Sequence, residues 1–216
     1  MPVTTPKRGR LITLEGGEGA GKSTLLRGLE TYLREQGVDL VVTREPGGTA
    51  VGEAVRGVVL DAANNELCAE AELLLMFASR AQLVRQVIEP ALAAGRWVLC
   101  DRFTDASYAY QGGGRGQPVE RIEALEDWAA LALKPDITLL LDLPVSTGRA
   151  RAAGRGEVDR IEVEGDSFFE RVRGAYRARA AAEPRRFRVL DASATPEAVL
   201  GQAIEGVAGL LAGVTS

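Results

Sequence analysis

The stretch "GGEGAGKST", Gly16 to Thr24, follows the apolar run "LITLE" (Leu11–Glu15) and sets Gly16, four residues, then Gly21, Lys22 and Ser23. Glycines at this spacing let consecutive backbone N–H groups turn inward on an anion, where side chains would obstruct them. Lys22 adds a cation and Ser23 offers a hydroxyl to Mg²⁺. The helix that Lys22 opens points its positive end at the same place. Gly16, Gly17, Glu18, Gly19, Ala20, Gly21, Lys22, Ser23 and Thr24 therefore form a candidate loop for a nucleoside triphosphate. The loop alone does not say what the triphosphate is for.

Outward from the loop, short apolar runs alternate with helical segments. The runs are Leu11–Glu15, Val38–Thr43, Arg96–Asp101, Ile137–Leu143 and Phe187–Ala192. Near-continuous apolar strands separated by helices indicate a five-stranded parallel sheet covered on both faces, a three-layer α/β fold with ligands at the carboxyl ends of the strands. Lys22–Gln36 reads as a helix stopped by Gly37, and Glu70–Ala94 as a long helix stopped by Gly95 and kinked near Pro90. Thr195, Pro196 and Glu197 read as the cap and first turn of a last helix. Two pieces break the pattern, Tyr110–Pro118 ("YQGGGRGQP") and Arg149–Arg160, and both are candidates for a mobile, charged cover.

The length of 216 residues and 46% hydrophobic composition fit one large domain, 1–216. A formal net charge of −4 gives no basic field for non-specific nucleic-acid binding. No stretch approaches the ~18 to 20 apolar residues of a membrane span, and the N-terminus lacks the apolar segment of a signal peptide, so a cytosolic protein is expected. Cys68 and Cys100 lie far apart and are expected as buried reduced thiols, with Trp97 and Trp128 also packed. There is no histidine. That excludes Ser-His-Asp and Cys-His triads and leaves carboxylates, arginines, hydroxyls and backbone donors to do the chemistry.

A phosphate loop on a parallel sheet suits a kinase, a GTP switch or an assembly ATPase. The chain has no Asn-Lys-x-Asp guanine reader, and it has Gly16-Gly17 where a partitioning ATPase carries a second lysine. Over essentially its whole length, in order and with similar gaps, the chain resembles the bacterial thymidylate kinases. The carriers are "EGGEGAGKST" (15–24), "TREPGGT" (43–49), "MFASRAQLV" (76–84), "LCDRFTDASYAYQGGGRG" (99–116), "PDITLLLDLP" (135–144) and "GRGEVDRIE" (154–162). The resemblance implies transfer of the γ-phosphoryl of MgATP to thymidine monophosphate by a homodimer with a mobile lid at about 144–163.

Such a transfer needs cations to align two repelling anions more than it needs a base, because the second pKa of a phosphate monoester, about 6, leaves the acceptor ionised. By resemblance, Arg102 binds the acceptor phosphate bidentately and Arg44 lies near it. Glu18 reaches the acceptor's sugar hydroxyl, or its phosphate and metal. Asp101, at the end of an apolar strand, stands where a carboxylate meets Mg²⁺ and its waters, with a structural salt bridge to Arg102 or Lys22 as the alternative. Phe77 and Arg80 match a base-stacking ring and a base-reading arginine. The family spaces these two four apart, which would put Met76 over the base. Ser107 and Gln111 offer polar groups to the thymine edge, and Tyr110 crowds the 2′ position. Arg151, Arg155 and Arg160 belong to the lid. Gly19 occupies the loop place where some relatives carry a catalytic arginine, so Arg155 is the expected source of that charge.

Overall fold

Five strands, β1 (Leu11–Gly16), β2 (Leu40–Arg44), β3 (Trp97–Asp101), β4 (Ile137–Asp142) and β5 (Phe187–Asp191), pair in parallel in the order β2-β3-β1-β4-β5. The computed structural model describes residues 8–153 and 159–212. Between the strands run α1 (Lys22–Glu35), α2 (Ala50–Leu60), α3 (Ala69–Leu83), α4 (Glu89–Ala93), α5 (Thr104–Ser107), α6 (Val119–Ala129), α7 (Val145–Ala152) and α8 (Asp166–Ala182). α9 (Pro196–Leu211) follows β5. Every expected strand is present within two residues of its expected limits. β2 starts late because the Gly37 and Val38 N–H groups close the end of α1 on Arg34 O and Leu33 O.

Side-chain alternation along the strands builds two cores. Ile12, Leu14, Leu139 and Leu141 face Leu25, Leu29 and Leu33 of α1 and Val199, Ala203 and Val207 of α9. Leu11, Val98 and Cys100 face Leu83, Val84 and Ile88 on the other side, and Leu140 faces Phe168, Val172 and Tyr176 of α8. Thr195 caps α9 by accepting from Ala198 N, as its position suggests. Among the described residues no helix is long and apolar enough to cross a membrane.

The long helix is broken one turn earlier than Pro90. A wide turn over Val84–Ile88 joins α3 to α4, with Glu89 N reaching back to Val84 O. Pro90 has no N–H and its ring crowds the carbonyl of Gln86, so the ladder widens ahead of it. The Tyr110–Pro118 piece is not a cover. Tyr108–Gly114 forms another wide helical turn, with Tyr110, Gln111 and Gly114 buried. A Cβ on Gly113 would lie 2.7 Å from Ala175 Cβ, and one on Gly114 2.5 Å from the Phe168 ring. These glycines let the turn press onto α8, where Arg171 donates to the carbonyls of both. Trp128, 76% exposed on α6, and Cys68, exposed before α3, are not packed as expected; Trp97 and Cys100 are.

The central strand carries one buried acid. Glu15 is fully buried, its Oε1 accepting from Phe103 N at 2.7 Å and its Oε2 paired with Tyr176 OH at 2.7 Å. Burial, followed by the nearby Asp105 charge, pushes its carboxyl up to about 8, against the pull of Arg102 and the two hydrogen bonds. At neutral pH the protonated carboxyl is the favoured form.

In the unfolded chain the same group titrates near 4.5. The stability that comes from keeping the proton is full below that value, drains as pH rises, and is gone above about 8. Glu15→Gln, which cannot ionise, should therefore gain stability relative to the native chain across this window. Chemical denaturation of both at several pH values checks this, and a pH-independent difference would mean that folding does not raise the Glu15 pKa.

Candidate functional site

β1 ends at Gly16, and the loop from Gly17 to Gly21 delivers the chain into α1. Gly21 at the cap offers no side chain to occupy the first N–H groups of the helix, so they remain available to an anion. Gly19 has φ +70°, and a Cβ there would lie 1.9 Å from Gly148 O of α7. Loop and α7 are thus packed backbone to backbone, and any larger residue at 19 would force them apart. Glu18, Gly19, Ala20, Gly21, Lys22, Ser23 and Thr24 all line one cleft at the carboxyl edge of the sheet. Gly16 and Gly17 line a smaller recess beside it, with Tyr176 and Arg149.

Two cations converge at the foot of this loop. Lys22 Nζ donates to Gly16 O at 3.1 Å and to Gly17 O at 2.9 Å. Arg102 Nη1 donates to the same Gly16 O at 3.0 Å. Burial, then the charge of Arg102, pulls the Lys22 pKa down, with Glu18, Asp101 and Glu15 pulling the other way. Arg102 also donates to Tyr176 OH, to Tyr110 OH and, at 2.7 Å, to Glu18 Oε1. Its backbone has φ +68°, a left-handed conformation that costs a non-glycine residue about 1–3 kcal/mol. The four guanidinium contacts hold it there, with its head in the cleft.

Asp101, the residue before it, also faces the cleft. Its Oδ1 is buried without a partner, and among the described residues no ion pair joins it to Lys22 or Arg102. Asp101, Ser23 and Arg44 share a further recess with Thr43. Arg44 is half exposed on the cleft wall and pairs with Glu53 at 2.9 Å. The peptide between Glu45 and Pro46 is cis.

At the far end the wall is Met76, Ala106, Tyr110 and Gln111. Phe77 does not reach it. It is core, packed with Leu73, Tyr108 and Ile122, and Arg80 lies 4.4 Å over its ring. Met76, one residue earlier on α3, is the side chain that reaches the wall, whereas Phe77 is turned inward. Arg80 and Ser107 are fully buried behind the wall: Arg80 donates to Glu45 Oε2 at 2.7 Å, Ser107 Oγ at 3.0 Å and Phe103 O at 3.1 Å. Tyr110 OH bonds Glu18 Oε1 at 2.9 Å.

Of the expected lid residues, Arg155 lies outside the described ones. Arg160 is an anchor rather than a cover: it is buried, donating to Val59 O and to Glu72 Oε2. Arg151 donates to Ala192 O at 2.8 Å and lines a second cleft with Gly19, Ala20, Thr24 and Pro196. Sequence reasoning missed Arg56, which lines the main cleft and whose pKa is lowered by burial and by Arg44. The spacing Gly52, Arg56, Leu60, one stripe of α2, is the signal that could have found it. It also gave no role to Glu15, although that residue opens the quoted loop motif, or to Glu72 and Tyr176, all of which hydrogen-bond groups of the wall from behind.

The family model described as thymidylate kinase matches residues 14–203. A thymidylate kinase from Ectopseudomonas mendocina is 59% identical over 187 residues, 87% of this chain and 89% of that protein. One from Alkalilimnicola ehrlichii is 57% identical over 202 residues, 93% of each. The crystal structure of thymidylate kinase from Ehrlichia chaffeensis superposes with a TM-score of 0.74 at 32% identity, covering 92% of this chain and 98% of that one. With this kinship and this cleft, the chain belongs to the thymidylate kinase family.

Proposed function

We propose that the chain transfers the γ-phosphoryl of ATP to dTMP, giving dTDP and ADP, in the cytoplasm and as a homodimer. The observation that carries this reading is the meeting of Lys22 and Arg102 on one carbonyl oxygen, Gly16 O. A cation of the triphosphate loop and a cation at the end of the neighbouring strand stand side by side, as two phosphates that must touch require.

ATP phosphates lie on the loop Gly16–Thr24 and Lys22, with the adenine end toward Arg151, Thr24 and Pro196. The acceptor phosphate lies on Arg102, with Arg44 and Arg56 beside it. Its ionised oxygen is itself the nucleophile, so no general base is needed. Glu18 holds Arg102 and Tyr110 in place, and the Tyr110 ring crowds the 2′ position. The base lies against Met76 and Gln111, backed by Arg80 and Ser107. Among the described residues no three His, Cys, Asp or Glu side chains cluster. Mg²⁺ fits as an ion held by few protein groups: the Ser23 hydroxyl and Asp101, whose unpartnered buried Oδ1 suits a hard cation. Bound there it would neutralise phosphate charge.

The chain acts as one domain, 1–216, whose lid at about 144–163 supplies Arg155. The absence of room for any side chain at Gly19 supports a lid origin for the catalytic charge. Arg155→Ala should lower kcat by at least about 10²-fold with little change in melting temperature. A near-normal kcat would remove Arg155 from the mechanism.

Pairing of two copies is supported by exposed apolar side chains on the packed pair α2 and α3, namely Val51, Val58 and Leu74. Sedimentation velocity should give the mass of a dimer, and a monomer at micromolar concentration would overturn it.

The activity itself is tested by ADP release with MgATP and dTMP, dUMP, dCMP, AMP, GMP, UMP or thymidine as acceptor. The kcat/KM for dTMP should exceed the others by about a hundredfold. A different preferred monophosphate would overturn the base site, and no stimulated turnover would overturn the kinase.

A further inference from the structure

Gln111 stands on the cleft wall, 1% exposed. Its amide has two ends with opposite hydrogen-bonding character, and only one of them is spoken for. Nε2 donates to Glu72 Oε1 at 2.9 Å, while Oε1 is buried with no partner. A free amide could turn over and exchange the two. This one is held by a carboxylate that accepts only: presenting the amide oxygen to Glu72 would set two acceptors against each other.

Glu72 in turn cannot yield. It is 1% exposed on α3, and its Oε2 accepts from Arg160 at 2.5 Å and from Arg115 at 3.2 Å. Arg160 is itself tied to Val59 O at 2.8 Å, and Arg115 to Glu164. Burial works against the charge of Glu72, but the hydrogen bonds from Gln111 and Arg160 and the charges of Arg115 and Arg160 hold its carboxyl below the usual range. The direction of the shift favours the ionised acceptor.

We infer that Glu72, which does not line the cleft, is a positioning residue that sets the polarity of base recognition by holding the Gln111 amide so that its unpartnered oxygen is the end left for the base. The wall then offers an acceptor and withholds a donor. A base with an imide N–H at that edge, as in thymine and uracil, meets a partner. Cytosine, whose ring nitrogen there is a second acceptor, leaves a buried oxygen facing a lone pair, and that mismatch is costly in a dry site. The inference rests on the placement of the base against Gln111.

The test is the ratio of kcat/KM for dTMP to that for dCMP, measured beside the melting temperature. Glu72→Gln keeps the size but removes the charge, so that Gln111 can turn, and the ratio should fall by about tenfold or more. Glu72→Asp, which withdraws the carboxylate by one methylene, should lower the ratio in the same direction, and it serves if the glutamine variant does not fold. Arg115→Ala removes another partner of Glu72 while leaving Gln111 held. It should lower the melting temperature and leave the ratio unchanged.

Gln111→Ala separates the two ideas. If it lowers the ratio and the Glu72 variants do not, the locking role is overturned while the base site stands. If Gln111→Ala leaves the ratio unchanged, the base is not read there and the underlying placement fails with it. A fall in both acceptors alike in the Glu72 variants, with the ratio preserved, would reduce Glu72 to a structural ion pair.

Discussion

One carbonyl oxygen, that of Gly16, organises the site. It terminates the central strand, and it accepts from both Lys22 and Arg102. Two like charges so close repel, and burial makes the repulsion stronger. They stay together because Gly16 O, Gly17 O and Glu18 give them acceptors and because Tyr110 and Tyr176 hold the Arg102 head beside the loop. Phosphates bound there, as in the proposed transfer, would replace weak carbonyl acceptors with full negative charge.

Behind that point, precision comes from buried polar networks rather than from apolar packing. Glu15 and Tyr176 back Arg102, Glu45 and Ser107 hold Arg80, and Glu72 holds Gln111. Asp105 accepts from Arg186 with both oxygens and from Arg179, and its charge is one cause of the raised pKa of Glu15. Such ion pairs contribute little net stability, since the cost of removing charges from water offsets their attraction. What they provide is direction, because a charged pair held by several hydrogen bonds has few alternative geometries. Glycines do the complementary work of bringing backbones together. Gly19 meets Gly148, and Gly113 and Gly114 meet α8, so the walls carrying these networks cannot drift apart.

Much of the fold is legible in single residues. The five apolar runs became the five strands because the inner strands are covered on both faces, where the polar side chains they do carry, Thr13, Glu15 and Thr138, are hydrogen-bonded. Gly37, Gly95 and Thr195 marked helix ends through local backbone chemistry, which needs no distant partner. The two misreadings share a cause. Tyr110–Pro118 looked mobile because glycine is read locally as freedom, whereas here it serves a close contact with a helix some sixty residues further along the chain. Trp128 and Cys68 looked buried because their type usually is, and only the packed structure decides which face of a helix remains outside.

For the site, the sequence by itself determined whatever depends on contiguous spacing: the glycine loop with its lysine and hydroxyl, the strand-end Asp101 and Arg102, and the lack of histidine chemistry. Tertiary structure alone decided what depends on residues far apart meeting. It turned Phe77 into core and brought Met76 to the cleft, made Arg160 an anchor, added Arg56, and placed Glu15, Glu72 and Tyr176 behind the groups they hold. The physical reason is that a motif records the shape one short backbone segment must take. The direction of a side chain, and the charge state of a buried one, are set by neighbours from other elements, and those neighbours leave no spacing to read.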